Sequence, residues 1–353
     1  MPFDLRPQPT REHQERARPL VALWLFVLCF MLLVMVALGG ATRLTGSGLS
    51  IMEWDPIMGF LPPWSETEWN RLYALYQQIP QYSLINRGFG LDGFKHIFWL
   101  EWTHRLWGRL MGVVLVVPLV WFGFTRTLPT WLWRRMALLL ALGALQGAMG
   151  WFMVASGFDA DRASVSPYRL VMHLVFALAI YGLLFWTAMS VARSGPRRLQ
   201  PIPKGLAAGS LILVCLVGLT IVAGGFVAGL KAGLTYNTFP LMDGHFVPDG
   251  WAALHPWWKN LFENIPSVQF DHRLLATATV VFALCVAALG NMFQPQGGLK
   301  LALAAVGLAA GGQFLLGVAT LLYAVPVSLG TLHQTGAVIL LTASLALRHI
   351  LRR

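Results

Sequence analysis

Four of the nine histidines stand in places that need a physical reason. His104 and His173 lie in apolar stretches of the first half of the chain, and His272 and His333 lie in the equivalent stretches of the second. An ionisable side chain inside hydrocarbon is costly unless it is used or paired, and a lone intramembrane imidazole is usually an interhelical hydrogen-bonder. Here the pair occurs twice. Two imidazoles from facing helices, at one level of a bundle, suit bis-histidine ligation of a haem, whose flat macrocycle slots between helices. Zinc fits less well, since no cysteine and few carboxylates accompany each pair. A copper site would usually show cysteine or methionine at ligand spacing, and a proton relay would leave the duplication unexplained.

The neighbours of these histidines sharpen the reading. Arg105 and Arg273 follow His104 and His272 directly; near a membrane face a guanidinium either pairs with haem propionates or snorkels to lipid headgroups. Glu101 precedes His104 by three residues and so shares its helix face, whereas the matching position holds Gln269. The halves have diverged at the acid: the first looks equipped for chemistry, the second for holding a cofactor. Gln146 and Gln313 are candidates for interhelical hydrogen bonds, with a pocket role second. The glycine-rich stretches 39–48 and 224–233 permit close approach to a macrocycle or tight helix packing. The other five histidines are set aside: His13 and His349 sit in basic tails, and His96, His245 and His255 lie in outer loops or at their edges, where solvated or capping roles are expected.

Long apolar elements must carry these residues. Of the 353 residues, 56% are hydrophobic and 12% charged, with a mean hydropathy of +0.61. Soluble domains carry about 25% charged residues, so an ordinary cytosolic enzyme, a disordered chain and a disulfide-stapled secreted domain are excluded. Stretches able to cross about 30 Å of hydrocarbon fall at 19–40, 98–124, 130–154, 168–192, 206–229, 270–292, 300–324 and 327–350. The first is too long for a cleaved signal peptide, and Gly39-Gly40-Ala41-Thr42-Arg43 does not resemble a cleavage site. The expected fold is therefore an all-α integral membrane protein with eight transmembrane helices.

Charge orients it. The tails and the connections after the second, fourth and sixth spans hold fifteen basic and three acidic residues; the opposite side and its helix ends hold eleven basic and twelve acidic. By the positive-inside tendency both termini face the cytoplasm and the histidines lie towards the other side. The net charge of +11 is thus a topology signal, and no nucleic-acid partner is expected. Cys29, Cys215 and Cys285 all lie in apolar runs, so the loops offer no disulfide framework.

The chain also repeats. Gly39-Gly40 with Gly48-Leu49-Ser50 recurs as Gly224-Gly225 with Gly233-Leu234-Thr235; Glu101 to Arg105 recurs as Gln269 to Arg273; Gln146 and Gly150 recur as Gln313 and Gly317; His173 recurs as His333. Four landmarks in one order indicate two tandem four-helix bundles of the same orientation, unlike inverted-repeat transporters. The expected divisions are a tail at 1–18, a first half at 19–195, a linker at 196–205 and a second half at 206–353. The outer loop at 42–97 is rich in aromatics, including Trp54, Trp64, Trp69, Tyr73, Tyr76 and Tyr82. Ser65-Glu66-Thr67-Glu68 has capping-box spacing, predicting a short helix over 66–78. Interfacial anchoring and a lid over a bound group compete as explanations of its aromatics.

Taken together, the stretch from Gly39 to Ser50, the run Tyr76-Gln77…Pro80…Tyr82…Ile85-Asn86, and Phe98 to Arg105 resemble haem A synthase over nearly the whole chain, in its mitochondrial and proteobacterial branch. Another branch carries a cysteine pair in the first outer loop; this chain lacks it. The resemblance implies oxidation of the C8 methyl of haem O to a formyl group by successive hydroxylations, making haem A for cytochrome oxidase in the cell inner membrane. It implies that His272 and His333 ligate a resident haem b, that His104 and His173 form the substrate site, and that Glu101 lies near the reacting edge as a proton acceptor or water-orienting group. Substrate would enter sideways from membrane lipid. Hand-over would bring the chain into contact with haem O synthase, and an oligomer is compatible with the sequence. A dihaem electron-transfer cytochrome, with equivalent histidine pairs and no need of Glu101, is the main alternative; a haem transporter is the second.

Overall fold

The computed structural model describes residues 11–55, 58–159, 163–193 and 204–352. The expected linker at 196–205 lies largely outside these residues, as do tail residues 1–10. Among the described residues there are ten α-helices and no strand. Eight helices are long and apolar enough to cross a membrane: α1 (Arg11–Leu44), α4 (Gly90–Phe124), α5 (Thr130–Ala155), α6 (Pro167–Ala192), α7 (Lys204–Gly229), α8 (Ile265–Met292), α9 (Gly297–Leu322) and α10 (Val327–Leu351). The described part of the expected tail is not separate, because α1 begins at Arg11 and runs into the first span. Likewise α4 starts eight residues before the expected span, carrying Phe94 and Ile97 as buried residues.

Proline sets several helix starts. Pro167 opens α6 and Pro266 lies in the first turn of α8, where the missing N–H costs nothing. Pro19 and Pro118 sit inside α1 and α4, as spanning helices tolerate when neighbours re-satisfy the backbone. After α1 the chain turns through Gly46 at φ 69°, and after α7 through Lys231 at φ 55°. These positions are 185 residues apart, the same offset as the two Gly-Gly pairs. Glycine adopts that left-handed conformation freely; lysine does so at a steric cost.

Two apolar cores result. One joins Leu25 and Leu28 of α1 to Phe122 of α4, Met136 of α5 and Tyr181 and Leu184 of α6. The other joins Leu213 and Val217 of α7 to Ala283 of α8, Leu303 and Val306 of α9 and Leu347 of α10. The two helix sets meet where α1 packs on α10, α6 on α7, and α6 on α10. Tyr181 and Thr342 share a hydrogen bond of 2.6 Å between their hydroxyls at the last of these. Gln334 of α10 donates to the carbonyl of Val36 at 3.0 Å, and Arg43 of α1 donates across to the carbonyl of Ala228 in α7 at 3.1 Å.

The outer segment between α1 and α4 has a core of its own. Helix α2 (Glu66–Tyr76) is N-capped by Ser65, whose hydroxyl accepts the Glu68 N–H at 3.2 Å, as the capping-box spacing predicts. Helix α3 (Pro80–Leu84) follows it. Trp69 and Tyr76 are buried with Leu49, Phe94 and Phe98, while Trp54 and Trp64 stay exposed. The loop's aromatics thus divide between a packed cap on the end of α4 and an exposed rim. Of the free cysteines, Cys29 is buried and Cys215 and Cys285 are exposed on their helices.

Candidate functional site: two imidazole cradles

Each predicted histidine ring rests against a glycine of the neighbouring helix. A Cβ on Gly39 of α1 would stand 3.2 Å from Nε2 of His104, and one on Gly224 of α7 would stand 2.9 Å from Cε1 of His272. Gly150 of α5 and Gly317 of α9 approach His173 and His333 in the same way, at 3.2 and 2.8 Å. A side chain at any of these four positions would press on the ring, which is the physical reason for glycine there. Each Gly-Gly pair divides its work: Gly40 packs against the Gln334 amide and Gly225 against Val171. Of the two readings of the glycine stretches, tight helix packing is the one these contacts show, against an imidazole at Gly39 and Gly224 and against another side chain at Gly40 and Gly225.

Glutamine completes one cradle in each half. The Gln146 amide nitrogen lies 3.1 Å from Nδ1 and 3.2 Å from Nε2 of His173, and 3.1 Å from that residue's carbonyl oxygen. Gln313 repeats the Nδ1 and carbonyl contacts at His333, at 3.1 and 2.9 Å. The expected interhelical hydrogen bonds of these glutamines are therefore made, and made to the histidines themselves.

Glu101 and Arg105 tie the outer loop to α4. Glu101 is only 3% exposed. Its Oε2 accepts from the Ser50 hydroxyl at 2.7 Å and the Ile51 N–H at 2.9 Å. Its Oε1 accepts from Nε and Nη2 of Arg105 at 3.0 and 2.6 Å. Arg105 in turn donates to the carbonyls of Ile51 and Glu53 at 2.7 and 2.9 Å. In the second half Arg273 donates to the carbonyls of Tyr236 and Thr238 at 2.7 and 2.8 Å, the positions 185 residues after Ile51 and Glu53. Gln269, 2% exposed, donates to the carbonyls of Ala232 and Tyr236. The architecture is repeated and the charge is not: an ion pair in one half faces a neutral amide in the other.

That difference leaves a trace. Arg105 Nε is taken by Glu101, whereas Arg273 Nε is buried without a hydrogen-bond partner. A buried unpaired N–H is costly, and an anionic group such as a propionate would satisfy it. The donor set also fits haem. Among the described residues no three His, Cys, Asp or Glu side chains group together as a metal site; paired imidazoles suit a metal that brings four in-plane nitrogens of its own.

Some site residues carried no role in the sequence reading. Ser50 and Ile51 hold Glu101; Ser50 closes the repeated Gly48-Leu49-Ser50 landmark, and Ile51 carried no signal. Gln81 of α3 donates to the carbonyl of Gly46 at 2.8 Å, and the Tyr76 hydroxyl donates back to Gln81 at 3.1 Å, binding α2 and α3 to the turn after α1. Outside the spans, Arg71 bridges Glu53 and Glu68 at 2.8 Å each, and its hydrogen bonds hold both carboxyls below their ordinary range. Residue 53 is thus fixed at its carbonyl by α4 and at its carboxylate by α2. The five histidines set aside divide. His96, His245 and His255 are exposed, and His245 lies 3.5 Å from Asp249. The side chain of His13 lies outside the described residues. His349 is corrected: it belongs to α10, is 2% exposed, stacks edge-on against Trp186 and shares a 3.1 Å hydrogen bond with Ser190. The helix runs on to Leu351 and buries it, instead of releasing it into a solvated tail.

An eight-span helical membrane protein with four imidazoles, each set against a glycine of a neighbouring helix, is the class that fold and site define. Residues 22–345 match the COX15-CtaA family of cytochrome oxidase assembly proteins, and the chain belongs to that family. It is 59% identical to the haem A synthase of Granulibacter bethesdensis over 96% of this chain and 89% of that one. It is 43% identical to the haem A synthase of Nitrosospira multiformis over 98% and 97% of the two chains. The haem A synthase of Caulobacter vibrioides is 46% identical over 96% and 98%.

Proposed function

We propose that this enzyme oxidises the C8 methyl of haem O to a formyl group through a hydroxylated intermediate, supplying haem A to cytochrome oxidase. The observation that carries this reading is the asymmetry between two otherwise matching cradles: Glu101 stands beside His104, and Gln269 stands beside His272. An electron-transfer cytochrome with two equal haems has no use for that difference.

His104 and His173 bind the iron of the substrate haem, and His272 and His333 hold a resident haem b. When bound, haem b supplies one-electron redox chemistry, at a potential set by its ligands and burial. Every other contribution belongs to the chain. Arg105 and Arg273 fix the two outer loops, and Arg273 Nε, buried without a partner, would be available to an anionic group of the cofactor. Glu101 accepts a proton as carbon–hydrogen bonds of the methyl are oxidised. Its Oε2 is held by a serine hydroxyl that can rotate away, so a lone pair is freed without breaking the Arg105 pair. The tight glycine contacts keep each imidazole at one orientation, which lowers the reorganisation needed at each turnover.

The charge distribution supports an inner-membrane orientation with both termini in the cytoplasm and the four histidines towards the periplasm. The substrate's farnesyl tail is as apolar as lipid, which favours lateral entry, and delivery by haem O synthase would need a contact at the membrane. The test is Glu101→Gln, the residue present in the second half. Expressed in cells that make haem O, it is expected to keep both haems bound and to accumulate unconverted haem O, with formation of haem A lowered about 10²-fold or more. Haem A formed at the normal rate would remove Glu101 from the chemistry.

A further inference from the structure

Gln146 and Gln313 do more than join helices. Both sit one turn before the glycine that touches the same ring: Gln146 precedes Gly150 and Gln313 precedes Gly317 by four residues. On α5 and again on α9, glutamine and glycine therefore form a slot that receives a histidine from the next helix, His173 or His333. His104 and His272 have a glycine from α1 or α7 but, among the described residues, no such glutamine within hydrogen-bond distance. In each half one imidazole is thus held by a glutamine amide, at Nδ1 in His333 and across both ring nitrogens in His173, and one is not; among the described residues Nδ1 of His272 is buried without a hydrogen-bond partner.

A second observation concerns the far end of each amide. Oε1 of Gln146 and Oε1 of Gln313 are both buried and both lack a hydrogen-bond partner. Buried amide oxygens are normally satisfied, and the same vacancy of partners at two repeated positions calls for a common cause. Half a turn about the last side-chain bond exchanges the amide oxygen and nitrogen. It would bring Oε1 to Nδ1, where it can accept an N–H. An imidazole that ligates through Nε2 carries its proton on Nδ1, and ligating histidines characteristically donate that proton to an acceptor that fixes tautomer and ring angle. The histidine carbonyl that loses the amide lies within α6 or α10, where the helical hydrogen bond supplies a partner.

We propose that Gln146 and Gln313 are positioning residues for the axial histidines His173 and His333: each accepts the Nδ1 proton of its histidine and so sets the orientation and electron donation of that ligand. The roles of His173 and His333 as ligands are those of the proposed function, and this inference rests on them. It makes the two ligands of each haem inequivalent, one backed by an amide and one not.

The experiment uses the purified, haem-loaded full chain. Four variants are compared with the parent: Gln313→Leu, Gln313→Glu, Gly317→Ala and His333→Ala. The readouts are haem content, the low-spin ferric electron paramagnetic resonance spectrum and the midpoint potential of the resident haem. Loss of the acceptor in Gln313→Leu weakens imidazole donation and is expected to raise the potential, and the carboxylate of Gln313→Glu is expected to lower it, with haem content kept in both. Gly317→Ala, whose Cβ would meet the ring at 2.8 Å, is expected to shift the resonance g-values by turning the ring. Unchanged potentials and g-values in both Gln313 variants, with His333→Ala losing the low-spin haem, would overturn the positioning role and leave the ligand assignment standing. A parent-like low-spin haem in His333→Ala would overturn the ligand assignment itself. Should Gln313→Glu fail to accumulate, the Leu variant and the equivalent Gln146→Leu, read at the substrate haem, decide the question alone.

Discussion

At the residue scale the decisive comparison is between Glu101 and Gln269. Both are almost fully buried and both brace an outer loop, yet only the first is ion-paired, through Arg105. Removing one partner of a buried pair leaves an uncompensated charge and costs about 3–5 kcal/mol. Arg105→Leu strands the carboxylate, whose side chain is 4% exposed, whereas Glu101→Gln leaves a 19% exposed guanidinium that keeps two loop carbonyls and an amide beside it. The first is therefore expected to destabilise the first half much more. Thermal denaturation of the two variants in detergent checks this, and equal loss in both would contradict it. The importance of Glu101 was legible from its spacing to His104 and from the broken repeat. Its partners were not, because Ser50 and Ile51 reach it across about fifty residues through a loop whose path no local pattern dictates. His349 shows the opposite error: a residue near the chain end reads as solvated, yet α6 presents Trp186 and Ser190 to it.

At the element scale, helices α1, α5, α7 and α9 act as backing plates for the histidines on α4, α6, α8 and α10. Gly150→Val is expected to displace His173 while leaving His272 and His333 untouched. It should abolish binding of substrate haem and retain haem b, as measured by haem extraction; loss of haem b alone would contradict the assignment. The outer loop has its own condition. Arg71 depresses the carboxyls of Glu53 and Glu68, so their contribution is complete above the ordinary carboxylate range and is lost as pH falls through the depressed values. Both are well exposed, so the pair is worth below about 1 kcal/mol. The protection factors at residues 51–53, with the intrinsic pH dependence of exchange divided out, should be high at neutral pH and fall as the pH drops below the ordinary carboxylate range, less so in Arg71→Gln, which is already loosened. The eight spans were readable because about twenty apolar residues are required to cross a bilayer. The early start of α4 was not, because its first turns are polar on one side and bury Phe94 and Ile97 beneath α2 only in the folded loop.

At the scale of the whole molecule, the repeat seen in the residues returns as repeated contacts. The left-handed turns at Gly46 and Lys231, the arginine clamps on residues 51 and 53 and on 236 and 238, and the glutamine–glycine slots all recur at the expected offsets. The packing of α1 on α10 and of α6 on α7 could not be read from periodicity, since apolar faces turned to lipid and to protein look alike in composition. The two like cradles divide the labour between substrate and resident haem, a division that haem extraction followed by chromatography and mass spectrometry reads out. The protein is purified from cells that make haem O, alongside His333→Ala and His104→Ala. The parent is expected to yield haem B together with haem O, its hydroxylated form or haem A. Selective loss of haem B is expected in His333→Ala, and selective loss of the haem O-derived species in His104→Ala. Haem B alone in the parent, or the same haem lost from both variants, would contradict that division.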